Sequence, residues 1–174
     1  FDGINDTVSI DLPNFPKTAF TFEMWLNAKE FASNGRDLFT KYSANDGFRT
    51  LITSSGGIES AWDIGDTFST LTVTGITADT WYHFVVTYNG SLLALYLNGD
   101  LKDSKTTQGN LTIGTNTLTL GFNDLATPNF NGTIDEIKVY PYALTPQQIS
   151  ASYNLEYNKI VSQETSGGEN YICQ

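Results

Sequence analysis

The sequence predicts an all-β protein, a sandwich or barrel of antiparallel strands with one short helix near its C-terminal side. Three observations carry that prediction. Apolar residues recur with period two in short runs, as in "FTFEMWLN" (20–27). Asn-Gly pairs at 89–90 and 98–99 separate such runs, and this dipeptide is a strong hairpin signal because both positions tolerate positive φ. No helical periodicity lies between the strand-like runs, which excludes a parallel α/β fold.

The elements follow in order. Val8, Ile10 and Leu12 alternate with Ser9 and Asp11 and predict a half-buried strand. Phe20, Phe22, Met24 and Leu26 form the apolar face of a longer one. "DLFTKY" (37–42), "FRTLIT" (48–53), "IESAWDI" (58–64) and "FSTLTV" (68–73) come next, divided by Gly, Ser, Asn and Asp. "WYHFVVTY" (81–88) is apolar on both faces, which predicts a central strand. The turn at 89–90 leads into "LLALYL" (92–97), and that at 98–99 leads into "DLKDSKT" (100–106). "TLTLGF" (117–122) and "GTIDEIKVY" (132–140) bring the number to about eleven. A helix is expected over 145–153, with Thr145 as N-cap, Pro146 at the first helical position and Gln148 completing a capping box. From residue 155 the chain reads as a linker or the start of a following β domain. "NKIVSQ" and "NYICQ" there are strand-like, so 1–154 is expected to be the folded domain and 155–174 an appendage.

Composition bounds the partners. Nineteen Asp and Glu against nine Lys and Arg give a net charge of −10, which repels phosphate backbones and anionic membranes and excludes nucleic acid as a partner. No run of 18 apolar residues offers a membrane-spanning helix. Phe1 opens in mid-motif, so the chain is expected to be a piece of a longer precursor. The single cysteine, Cys173, has no internal partner; it would pair with a downstream domain or with another chain. Sequons at Asn5, Asn89, Asn110 and Asn131 are consistent with a secreted or cell-surface protein.

Four blocks, "FDGINDTVSI", "FTFEMWLN", "WYHFVVTYNGSLLALYLNGDLK" and "FNGTIDEIKVYPYALTPQQISASY", resemble the laminin-G-like, concanavalin A-type jelly roll in order and spacing, over residues 1–154. The resemblance implies two antiparallel sheets with the first and last strands side by side. It also implies a possible structural calcium, held by Asp135 with Asp2, Asn5 and Asp6. The alternative is that Asp2 and Asp6 are solvated turn residues and that Asp135 pairs with a strand-end amide. Catalytic members of that superfamily, the laminarinase-type glycanases, carry carboxylates at alternating positions of one strand. Here Asp135 and Glu136 are adjacent and face opposite sides, so the catalytic pattern is missing and no enzyme is expected.

The remaining candidates are sites of recognition. Trp62, in polar "SAWDIGD", is expected to reach a surface, whereas Trp25 and Trp81 belong to core blocks. Loops 43–47, 54–57 and 121–129 carry Asn45, Asp46, Asn123 and Asp124, which suit sugar hydroxyls or a cation, and equally suit plain turns. His83, the lone histidine, reads as a packed, hydrogen-bonded core residue. The function expected is a non-catalytic module of a secreted or surface protein that binds a glycan or a surface protein. The alternative is a structural subunit or spacer that self-assembles through its C-terminal tail.

Overall fold

The computed structural model describes residues 1–33, 35–43, 46–121 and 129–165, without the side chains of 43 and 156–165. In chain order the first strands are β1 (Val8–Ile10), β2 (Phe20–Ala28), β3 (Arg36–Ser43), β4 (Asp46–Ile52), β5 (Gly57–Asp63) and β6 (Phe68–Thr74). They are followed by β7 (Trp81–Tyr88), β8 (Leu92–Leu97), β9 (Asp100–Thr106), β10 (Leu118–Leu120) and β11 (Gly132–Tyr140). One described helix, α1, runs Pro146–Thr165. The strands form two antiparallel sheets, ordered β1-β10-β3-β4-β5-β6 and β11-β2-β7-β8-β9. This is the expected sandwich, and β7 is the centre of its sheet.

The period-two pattern builds the core directly. Phe20, Phe22, Met24 and Leu26 point inward from β2 and meet Phe48, Ile52, Ile58, Trp62 and Leu71 from the other sheet. Aromatic rings interlock across the gap: Phe22 stacks on Phe39 at 4.3 Å, and Phe20 on Trp62 at 4.8 Å. The two turns with Asn-Gly differ. At 98–99 both residues take positive φ (54° and 81°), while at 89–90 only Gly90 does. There Asn89 instead accepts the amides of Ser91 and Leu92 on its side-chain oxygen.

Trp62 is a correction to the sequence reading. It is fully buried, stacked on Phe48 at 4.4 Å, and its indole N–H donates to Ser60 Oγ at 2.7 Å. Its polar neighbours misled because Ser60 also faces inward, bonding Thr50 Oγ1 inside the core. A tryptophan whose N–H is satisfied loses nothing by burial.

Helix α1 begins as expected: Gln148 N donates to Thr145 Oγ1, and Thr145 N donates to Gln148 Oε1 at 2.9 Å. It then continues past 153 and 154 to Thr165, so "NKIVSQ" is helical rather than strand-like. Between Pro146 and Gly167 the sequence has no Gly or Pro to stop it. "NYICQ" and Cys173 lie outside the described residues. The helix packs on the outer face of the five-stranded sheet, where Ile149 meets Val85, Ala94 and Tyr96, and Tyr153 stacks on Trp25 at 5.8 Å. β7 is apolar on both faces because both faces are covered.

Candidate functional site

Among the described residues, four groups of charged side chains bear on a candidate site. On β11 the register passes from Asp135 opposite Trp25 to Lys138 opposite Glu23 through a bulge. Glu136 sits in that bulge at φ 50°, with its carboxylate 3.5 Å from Lys138 Nζ. Asp135 Oδ1 accepts the amide of Glu136 at 2.8 Å. The adjacent carboxylates therefore do not flank a common space, as a glycosidase pair must.

The second place is closed. Glu23 and His83 are wholly buried beneath α1, with Glu23 Oε1 and His83 Nε2 3.0 Å apart. Ser152 Oγ, from the helix, donates to the same Glu23 oxygen. Burial raises the Glu23 carboxyl, but hydrogen bonds from His83 and Ser152 and the charges of His83 and Lys138 outweigh it and hold it below the usual value. Ser, His and Glu together have the composition of a hydrolytic triad. Here both the serine and the histidine bind the same carboxylate oxygen, and no serine–histidine hydrogen bond is made. His83 is the packed, hydrogen-bonded residue expected of it.

The third place is the junction of the terminal blocks. Asp2 bridges Asn131, and the Gly132 amide donates to the Phe1 carbonyl at 2.9 Å, so these blocks are neighbours as the resemblance implied. The four residues named for calcium nevertheless do not fit one ion. Asp135 lies four strand positions beyond Asn131, about 13 Å along the strand. Oxygens sharing a calcium must sit within about 5 Å of one another. Asp2 Oδ1 is turned onto the Ile4 amide, and Asp6 Oδ2 onto the Asp2 amide. Among the described residues no group of three or more His, Cys, Asp or Glu converges as metal ligands would. The positive charge at this junction is Arg36, which donates to Glu30 Oε1 at 2.7 Å and to the carbonyl of Asn129. Asn5 belongs to the exposed N-terminal turn.

The fourth place is one end of the sandwich, where the segments 11–17, 63–68 and 110–116 meet. Backbone bonds knit it: Leu111 N donates to Lys17 O, Thr112 N to Asp63 O, and Gly65 N to Asn110 O. Between these segments lies an open cleft of about 250 Å³, lined by Asp11, Pro13, Lys17, Lys41, Ile113, Gly114 and Thr115. Lys41 is only 4% exposed and donates to the Asn116 carbonyl. Burial lowers its ammonium below the usual lysine value, Asp11 opposes that shift, and Lys17 adds to it.

A second feature adjoins the cleft. Tyr42 lies opposite Gly47, and Phe68 opposite Asp63, so their backbones are three strand spacings apart, about 14 Å. Their ring centroids are 5.8 Å apart, so the two side chains close over Gly47 and Asp63. Asp63 is 3% exposed, and its Oδ1 has no hydrogen-bond partner among the described residues. Burial raises its carboxyl, and the charges of Asp66 and Asp46 add to the effect.

Of the sequence-predicted ligand residues, Asp46 is exposed at the start of β4 and contributes its charge to this end. Asn45, Asn123 and Asp124 lie outside the described residues. Lys41, Asp63 and Glu23 were missed. Lys41 had a signal: it shares the inward phase of Phe39 on β3, a charged residue where the alternation calls for an apolar one.

The model of the concanavalin A-like lectin/glucanases superfamily, in its third laminin-G form, matches residues 2–150. The chain belongs to that family. Among solved structures it is similar to the botulinum neurotoxin serotype D binding domain, with 16% identity and a TM-score of 0.72, over 89% of this chain and 41% of that one. The serotype D ligand-binding domain in complex with N-acetylneuraminic acid matches at 18% and 0.73, over 87% and 40%. The binding domain of botulinum neurotoxin DC in complex with rat synaptotagmin II matches at 15% and 0.63, over 79% and 36%. At these identities the likeness is one of fold, and the chain spans about two fifths of the length of those proteins. No curated protein matches it by sequence.

Proposed function

We propose that this member of the superfamily is a non-catalytic recognition module of an extracellular protein, binding a glycan or a protein partner at the end of the sandwich that carries the Lys41 cleft. One observation carries the reading: an open, charged cleft of about 250 Å³ lies where Lys41 of β3 meets loop residues of 11–17 and 113–115, while the Glu23–His83 pair is sealed beneath α1. The helix covers the outer face of the five-stranded sheet around Trp25, Val85, Ala94 and Tyr96. Fold analogy supplies the context: solved relatives of the same fold bind N-acetylneuraminic acid and synaptotagmin II, each within a longer chain.

The test is a glycan array and a surface-protein pull-down with the wild-type chain and with Lys41→Met, beside an assay for reducing ends released from the same glycans. Binding that is lost in the variant, with no reducing ends released, supports the reading. Release of reducing ends, or binding indifferent to Lys41, counts against it.

A further inference from the structure

Lys41 is a buried cation at the wall of an open cleft in a protein whose net charge is −10. Its one hydrogen bond within the described residues goes to the Asn116 carbonyl, a neutral acceptor, while the ammonium has three N–H donors. A second lysine, Lys17, lines the same cleft, so two of the nine basic residues of the chain meet at one small cavity. Lys17 is exposed and Asp11 lines the same cleft, so the buried ammonium of Lys41 is the group set to meet an anion there.

We propose that this cleft binds the carboxylate of an acidic sugar residue, of the uronic acid type, with Lys41 as its anchor. This rests on the recognition reading and names the ligand class of the same site.

The lining fits such a residue group by group. Lys41 and Lys17 face the carboxylate, a charge-assisted contact about twice as strong as a neutral hydrogen bond. Asp11, which lines the same cleft, can accept a ring hydroxyl. Pro13 and Ile113 supply apolar surface for the C–H face of the ring, and Thr115 a hydroxyl. The volume, about 250 Å³, lies below the roughly 300–1,000 Å³ of drug-sized ligand sites, so it holds one residue rather than an oligosaccharide. An acidic peptide fits less well. β3 pairs with β10 at Phe39 and Thr40 and with β4 at Lys41, and the Asn116 side chain donates to the Tyr42 carbonyl, so little edge is left beside Lys41 along which a peptide backbone could lie.

Isothermal calorimetry or amide-shift titration of the whole chain with three probes decides the matter: methyl β-glucuronide, methyl β-glucoside and N-acetylglutamate amide. The glucuronide should bind at least tenfold more tightly than either other probe. Lys41→Met should remove that binding, and Lys17→Ala should weaken it severalfold with an unchanged melting curve. Should Lys41→Met fail to fold, Lys17→Ala decides. Equal binding of glucoside and glucuronide overturns the acidic class while leaving the recognition reading intact. Preference for the glutamate probe, no binding of the glucuronide, or binding insensitive to both lysines also overturns the proposal. Failure of the recognition reading itself is read separately, from a wild-type array and pull-down with no partner at all.

Discussion

Two of the buried charged groups, one on each sheet, differ in what surrounds them. Glu23 and His83, on the five-stranded sheet, are covered by α1 and joined by Ser152 from that helix. Lys41, on the six-stranded sheet, is as deeply set in its strand, but opens on a cleft between loops. The first has the residue types of a hydrolytic triad, whereas the second offers two lysines and an aspartate. Yet a sealed pair can only hold the fold together, while an exposed wall can meet a ligand. Accessibility, rather than residue type, separates a structural cluster from a site, even where Glu23 Oε2 and His83 Nδ1 have no hydrogen-bond partner among the described residues.

Variants that break this contrast should have effects of very different size. Glu23→Ala leaves His83 and Ser152 without their shared acceptor in a dry interior, and should cost about 3–5 kcal/mol of unfolding free energy in urea titration. The same pair sets an acid limit. The folded-state value of Glu23 is held below the unfolded one of about 4.3, so its stabilisation is full above that pH and is lost as pH falls through the folded value. Glu23→Gln should flatten that acid limb of the stability profile.

Lys41→Met, by contrast, removes one hydrogen bond and a desolvated charge, and should change stability by no more than about 1 kcal/mol while removing ligand binding. Asp63→Asn should move in the opposite direction. Its carboxyl is raised in the fold, so the charged form costs stability at neutral pH and that cost fades as the group protonates on acidification. The variant should gain roughly 1 kcal/mol, some 2–4 °C in melting temperature, at pH 7 and little or nothing in acid. The smallest effect expected is that of chelation. Because Asp2, Asp6 and Asp135 do not converge, EDTA should leave the melting curve unchanged; a fall of several degrees would restore a calcium to the terminal junction.

The fold was legible in the sequence because period-two alternation is a local property. The strands, the hairpin turns and the Thr145–Gln148 capping box all follow from residues a few positions apart. The length of α1 was underestimated, since strand-like "NKIVSQ" was judged by residue type rather than by the absence of any breaker before Gly167. The site was much less legible. Trp62 stands in a polar run, but alternation turns Ser60 and Trp62 inward together, and the serine satisfies the indole. Asp63 is buried by Tyr42 and Phe68, twenty-one residues before it and five after, a closure no local pattern announces. The residues expected to share a calcium are set apart for a related reason. Neighbouring strands share an end at Asp2 and Asn131, but Asp135 is carried away along its strand.

The most direct test of the account is an amide-shift map of the chain with a glycan or protein that it binds. The account predicts shifts concentrated at residues 11–17, 41 and 112–115, with those of β2, β7 and α1 unmoved. Shifts centred on Glu23, His83 or α1, with Lys41 silent, would contradict it.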